Sequence, residues 1–114
     1  MERIGAFCSS RDDLPKNMVE ATKALGRWIG EHGKMLVYGG MDEGLMEVLA
    51  VAVKRSGGRT MGVIPDDMQN LASDQVDISF PVVDLADRKS TLMREADVFV
   101  ALPGGVGTLD EFFT

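Results

Sequence analysis

The chain has 114 residues, of which 45% are hydrophobic and 26% charged, a composition typical of one globular domain. Its formal net charge of −6 argues against a nucleic-acid-binding surface, because such surfaces are usually basic. A small anionic ligand is compatible with this charge, since a helix N-terminus and one or two arginines hold a phosphate even in an acidic protein.

The N-terminus shows no cationic leader followed by an apolar stretch, and no apolar run has the length needed to span a bilayer. The single cysteine, Cys8, cannot form an intramolecular disulfide. We therefore expect a cytoplasmic protein with no membrane partner. One histidine and one cysteine do not make a metal cluster at normal ligand spacing, so no metal site is predicted.

Short segments rich in Val, Ile and Phe alternate along the chain with segments of helical period. The predicted elements, in chain order, are strand 3–8, helix 16–31, strand 34–39, helix 44–56, strand 60–64, strand 78–83, helix 85–95 and strand 97–102. The connections are too long for hairpins, so the pattern predicts an α/β fold with a parallel sheet and right-handed crossovers.

The helices carry apolar residues at three- and four-residue steps, which predicts one core-facing stripe on each. The predicted stripe of the first helix is Met18, Ala21, Leu25, Trp28 and Ile29, with Gly33 as a left-handed cap. A last helix beginning near Gly107 runs directly into Thr114. The sequence therefore predicts a domain interrupted at its C-terminus, with the last strand as a bare sheet edge.

Ligands of parallel α/β sheets bind outside the carboxyl ends of the strands. Four stretches fall there: Ser9-Ser10, Gly39-Gly40, Asp84 to Lys89, and Pro103 to Thr108. Three of them are rich in glycine or serine, which lets a ligand approach the backbone.

The most distinctive stretch is LPGGVGTLDE, at residues 102–111, directly after the last predicted strand. It matches neither the P-loop nor the dinucleotide fingerprint. Bare backbone N–H groups at Gly104, Gly105 and Gly107, with the Thr108 hydroxyl, are typical of an anion site at a helix start. The alternative interpretation is a strand-to-helix turn in which the glycines serve chain reversal alone.

Glu111 shares a helix face with Gly107 and Thr108, whereas Asp110 is rotated about 100° away. A carboxylate repels a phosphate, so Glu111 is a candidate for contacting a ribose one group further in. It is equally interpretable as an acidic residue that complements the helix dipole. Arg88 and Lys89 lie at the start of a helix, where cations are unfavourable, so they are either ligand-binding residues or a solvated surface pair.

Several segments together resemble the LOG (Lonely Guy) family. They are FCSS at 7–10, VYGG with GLM at 37–46, DRKSTLM at 87–93 and LPGGVGTLDE at 102–111. The resemblance runs through the whole chain and implies one Rossmann-like nucleotide-binding domain over residues 1–114, a doubly wound parallel sheet in three layers. Family members continue for further strands and helices and form homodimers with active sites at the subunit interface.

The LOG family hydrolyses the N-glycosidic bond of nucleoside 5′-monophosphates. The resemblance implies that AMP or an N6-modified AMP, a cytokinin nucleotide, is converted to free base and ribose 5-phosphate without a cofactor. It makes Arg88 and Glu111 catalytic. The implied substrate-binding residues are Ser9, Gly39, Gly40, Lys89, Gly104, Gly105, Gly107 and Thr108.

The resemblance also raises two other activities. A lysine decarboxylase, an old label for it, needs a pyridoxal-phosphate site and a larger scaffold, so we discount it. Molybdenum-cofactor carrier proteins of the same superfamily look similar around the glycine turn, and the alternative function is therefore a non-catalytic nucleotide or cofactor carrier. The presence of both Arg88 and Glu111 favours the hydrolase.

Overall fold

The short apolar segments form parallel strands in a computed structural model, which describes residues 2–8 and 15–102. The strands are β1 Arg3–Phe7, β2 Met35–Tyr38, β3 Arg59–Pro65, β4 Ile78–Val82 and β5 Val98–Ala101. They make one sheet in the order β4-β3-β2-β1-β5, and every neighbouring pair is parallel. The order reverses at β1, as in a doubly wound sheet.

Helices cover both faces of this sheet. They are α1 Lys16–Glu31, α2 Gly44–Arg55 and α3 Leu85–Glu95, and a 3-10 helix, Asp66–Leu71, leads from β3 toward β4. One core cluster joins α1 and α2 to the sheet through Ile29, Leu45 and Leu49. A second joins α3 to the opposite face through Leu92 and Val37. The predicted three-layer α/β architecture is confirmed.

The central strands are buried on both faces, which explains why their sequences are continuously apolar. All four residues of β2 are buried, and Val37 pairs with Gly5 on one side and Met61 on the other. The edge strands β4 and β5 are more exposed. Within the described residues, β5 lies at a sheet edge, as predicted.

Local signals set the helix ends. Gly33 (φ +64°) and Gly57 (φ +93°) follow α1 and α2 in the left-handed conformation that glycine adopts without strain. Asp84 caps α3 by accepting a hydrogen bond from the Asp87 N–H at 2.9 Å. The cap at Gly33 was predicted from the sequence.

The face that α1 buries differs from the predicted one. Ala21 and Trp28 are exposed, whereas Gly26 and Gly30 are buried against α2. A Cβ built on Gly26 would lie 2.5 Å from Ala52 Cβ, so the two helices pack backbone against backbone. Because glycine has no side chain, the hydrophobic periodicity gave no signal for this stripe.

The predicted interruption after Gly107 lies outside the described residues. Among the helices that are described, none is long and apolar enough to cross a membrane.

Candidate functional site

The turn after β2 brings the backbone to the carboxyl edge of the sheet. Gly40 has φ +72°, and a Cβ placed there would lie 2.9 Å from Gly62 Cα on the neighbouring strand. A side chain at this position would be strained and would push the two strands apart. Gly40 therefore fixes where the turn leaves the sheet.

Arg88 lies directly over Gly39. A Cβ built on Gly39 would fall 1.7 Å from Arg88 Nη2 and 2.8 Å from Arg88 Cζ. The same guanidinium approaches the sulfur of Met46 on α2, with Nη2 3.8 Å from Sδ. Arg88 thus extends from α3 across the end of β2 to the first turn of α2, and only a glycine at position 39 leaves room for it.

Lys89 follows Arg88 on α3 and is half-buried. Its ammonium nitrogen is buried, and in the part of the chain that the structure describes it has no hydrogen-bond acceptor. A buried ammonium without an acceptor is costly, and an anionic ligand would remove that cost.

The ends of β1 and β5 are also adjacent. The Leu102 N–H donates to the Phe7 carbonyl at 2.9 Å, which places the carboxyl ends of the two strands side by side. Cys8 is buried in the core. This is the point at which the strand order reverses, the usual ligand crevice of a doubly wound sheet.

A partly buried polar cluster lies on the other side of the Gly39-Gly40 turn. Ser73 donates its hydroxyl hydrogen bond to the Glu47 carboxylate of α2, and the Ser73 N–H donates to the Gly40 carbonyl at 2.8 Å. Tyr38 is fully buried nearby, and its hydroxyl has no partner in hydrogen-bond geometry among the described residues.

Burial raises the pKa of Tyr38 above its ordinary value, and the Glu47 charge raises it further, against a smaller lowering by the Ser73 hydroxyl. Tyr38 therefore stays a neutral phenol. Sequence reasoning missed Glu47 and Ser73, because an acidic residue in the first turn of a helix is common and Ser73 lies in a connection without a motif.

The structure therefore brings together part of the predicted site. Gly39, Gly40 and Arg88 meet at the carboxyl end of β2, and Lys89 is the next residue along α3. The remaining predicted site residues lie outside the described part of the chain: Ser9, Gly104, Gly105, Gly107, Thr108 and Glu111. Across residues 2–8 and 15–102, no group of His, Cys, Asp and Glu has the arrangement of a metal site.

These features define the class of protein. A parallel sheet that reverses order at β1, with a glycine turn under an arginine at its carboxyl edge, is a Rossmann-like α/β domain. The chain belongs to the SLOG cluster4 family, whose model matches residues 3–114.

Curated relatives agree with the resemblance to the LOG family. A cytokinin riboside 5′-monophosphate phosphoribohydrolase of Arabidopsis thaliana is 38% identical over 112 residues, which is 96% of this chain and 52% of the relative. An enzyme of the same name from Rhodococcoides fascians is 36% identical, over 96% of this chain and 57% of the relative. The chain thus spans about half the length of the curated relatives that it matches.

Solved structures of a second functional class are also similar. The molybdenum cofactor carrier protein of Chlamydomonas reinhardtii superposes with a TM-score of 0.84 at 31% identity, over 97% of this chain and 68% of the other. The molybdenum cofactor binding protein of Rippkaea orientalis has a TM-score of 0.85 at 28% identity, with the same coverage. The chain is therefore similar in sequence to proteins named as hydrolases and in structure to proteins named as cofactor carriers.

Proposed function

We propose that this chain carries the nucleotide site of a nucleoside 5′-monophosphate phosphoribohydrolase. The reaction is hydrolysis of the N-glycosidic bond of AMP or an N6-modified AMP. Water adds to C1′ of the ribose, the bond from C1′ to the base nitrogen breaks, and the base leaves with a proton. The products are free base and ribose 5-phosphate.

The placement of Arg88 carries this proposal. Its guanidinium lies over Gly39 at the carboxyl edge of the sheet, where a nucleotide of a doubly wound domain binds. A planar guanidinium in this position forms two parallel hydrogen bonds to a phosphate or to ribose hydroxyls. The names and identities of the curated relatives support the same reaction.

In the proposed mechanism, the turn from Gly104 to Thr108 holds the 5′-phosphate, and Lys89 adds a positive charge on the same side. Arg88 orients the phosphate or the ribose. Glu111 stabilises the oxocarbenium-like ribose of the transition state or activates the attacking water, because glycoside cleavage generally uses a carboxylate in these roles.

The test is release of adenine from AMP, and of the modified base from an N6-modified AMP, followed by chromatography. We expect Glu111→Gln to abolish release while nucleotide binding is retained, and Arg88→Lys to weaken both binding and turnover. Asp110→Asn is the matched control, because a helix rotates that residue away from the face of Glu111. Equal loss in Asp110→Asn and Glu111→Gln would overturn the assignment of Glu111.

The similarity to molybdenum cofactor carriers favours one second candidate, a non-catalytic carrier of a nucleotide or of that cofactor. Both ligands contain a phosphate, for which the Arg88 guanidinium is suited. A carrier binds the ligand without releasing a base, and Glu111→Gln leaves its affinity unchanged. Binding without adenine release in the unsubstituted protein would select this candidate.

A further inference from the structure

Gly39 and Met46 contact the Arg88 guanidinium, and together they are called the Arg88 seat. Neither residue belongs to a paired strand. Gly39 lies in the turn after β2, and Met46 lies in the first turn of α2. The guanidinium is positioned only if both keep their distance from α3. Core packing of Leu45 and Leu49 holds α2 on the sheet, and a contact between the turn and the helix would fix these two pieces relative to each other.

The connection between the 3-10 helix and β4 supplies that contact through Ser73, which is buried. The Ser73 hydroxyl donates to the carboxylate of Glu47, the residue directly after Met46. The Ser73 N–H donates to the carbonyl of Gly40, the residue directly after Gly39. One residue thus bonds to both neighbours of the Arg88 seat.

Ser73 is itself held by its own segment. The Gln75 N–H donates to the Ser73 hydroxyl oxygen at 3.0 Å. An isolated antiparallel bridge pairs Met41 with Ala72, directly beside the contact between Gly40 and Ser73. The hydroxyl is therefore both donor and acceptor, which sets its orientation toward Glu47.

We propose that Glu47 and Ser73 form a positioning pair that fixes Gly39 and Met46 and so places the Arg88 guanidinium for the nucleotide. Its role in turnover rests on the proposed function, whereas its effect on Arg88 does not. Neither residue touches the ligand in this proposal. A displaced guanidinium binds more weakly and costs turnover, since catalysis is sensitive to shifts of about 1 Å.

The first arm of the test needs no ligand. The chain contains eight methionines, and their methyl groups are labelled with ¹³C for NMR. The Met46 resonance is assigned from Met46→Leu, and Arg88→Lys shows how it responds when the guanidinium moves. We expect Ser73→Ala and Glu47→Met to shift this resonance. Glu47→Gln keeps an acceptor oxygen, so we expect its Met46 resonance to stay at the position found in the unsubstituted protein.

Asp77→Asn is the matched control. Asp77 belongs to the same connection and bonds Lys54 at the far end of α2 and Thr60 at the start of β3. Its substitution loosens the connection without touching Gly40 or Glu47, so the Met46 resonance stays in place. If Ser73→Ala and Glu47→Met also leave that resonance unmoved, the pair is merely structural and the proposal is wrong.

The second arm measures AMP affinity and adenine release at a temperature at which every variant is folded. We expect kcat/KM to fall at least about tenfold in Ser73→Ala and Glu47→Met, and not in Asp77→Asn. If the unsubstituted protein does not release adenine, the proposed hydrolysis fails and the NMR arm still decides the positioning pair. If Ser73→Ala does not fold, Glu47→Met carries both arms.

Discussion

At the scale of single residues, Gly39 and Gly33 separate a functional effect from a stability effect of the same substitution. In Gly39→Ala the new methyl group displaces the flexible end of Arg88. Among the described residues, no atom lies within 4 Å of a Cβ at Gly33, but the φ of Gly33 is +64°. We expect Gly39→Ala to weaken AMP binding at least about tenfold with little loss of stability. Gly33→Ala should cost about 1 kcal/mol of stability and leave binding unchanged.

Thermal unfolding and AMP titration of both variants check this contrast. A Gly39→Ala protein with unchanged affinity would show that Arg88 does not contact the nucleotide from its seat over Gly39.

Asp77 gives the connection before β4 a pH-dependent contribution to stability. Burial raises the pKa of Asp77, but hydrogen bonds from Lys54 and from the N–H of Thr60 outweigh it and hold the pKa below its ordinary value. The folded state thus favours the carboxylate. Its stabilisation is present above about pH 4 and is lost as the pH falls through the lowered pKa.

Urea unfolding of the unsubstituted protein and Asp77→Asn measures this contribution. We expect Asp77→Asn to be less stable by about 0.5–1 kcal/mol at pH 7, because the ion pair is partly exposed and screened. The difference should shrink as the pH falls through the lowered pKa of Asp77, because the carboxyl then becomes protonated. A difference that is independent of pH would contradict the assignment to the Asp77 charge.

At the scale of elements, the contact of α1 with α2 depends on glycines. A Cβ at Gly26 would lie 2.5 Å from Ala52 Cβ and 2.9 Å from the Leu49 carbonyl oxygen. Alanine has a higher helix propensity than glycine by about 1 kcal/mol, but overpacking costs about 1–3 kcal/mol. We expect Gly26→Ala to destabilise the protein, measured by urea unfolding. Ala24→Gly, at an exposed position of α1, measures the propensity term alone.

The elements that the sequence predicted well are those with a strong local signal. Strands β2 and β3 were predicted to within one residue at both of their ends, because each is a largely apolar run beside glycine or proline. The 3-10 helix Asp66–Leu71 was not predicted, because three residues per turn leave no amphipathic period in six residues. The α1 face was partly wrong because a stripe of glycines has no hydrophobic signal.

For the candidate site, the sequence placed Gly39, Gly40 and Arg88 at the carboxyl edge but did not pair them. That pairing depends on the strand order and on the path of α3 across the sheet, which are set by long-range packing. Ser73 was missed for the same reason, since its partners Gly40 and Glu47 are distant in sequence. Motifs predicted which residues meet a ligand, and tertiary contacts decide how they are held.

At the scale of the whole molecule, burial differs between the helices on the two faces of the sheet within the described residues. Six of the twelve residues of α2 are buried, against two of the eleven in α3, where Leu85 and Met93 are exposed. Local opening is easiest where few apolar contacts must be broken. We expect backbone amides of α3 to exchange hydrogen at least about tenfold faster than those of α2.

Arg88 connects this weaker helix to the ligand edge, so nucleotide binding should stabilise it selectively. Hydrogen exchange in the first turns of α3 should slow when AMP is added, because a ligand that binds only the closed helix disfavours its opening. Arg88→Lys should remove most of this slowing and leave the ligand-free pattern unchanged. Equal exchange rates in α2 and α3 without AMP would contradict this prediction, because they would mean that both helices open only in global unfolding. AMP would then slow the exchange of backbone amides in both helices and in the sheet to the same extent.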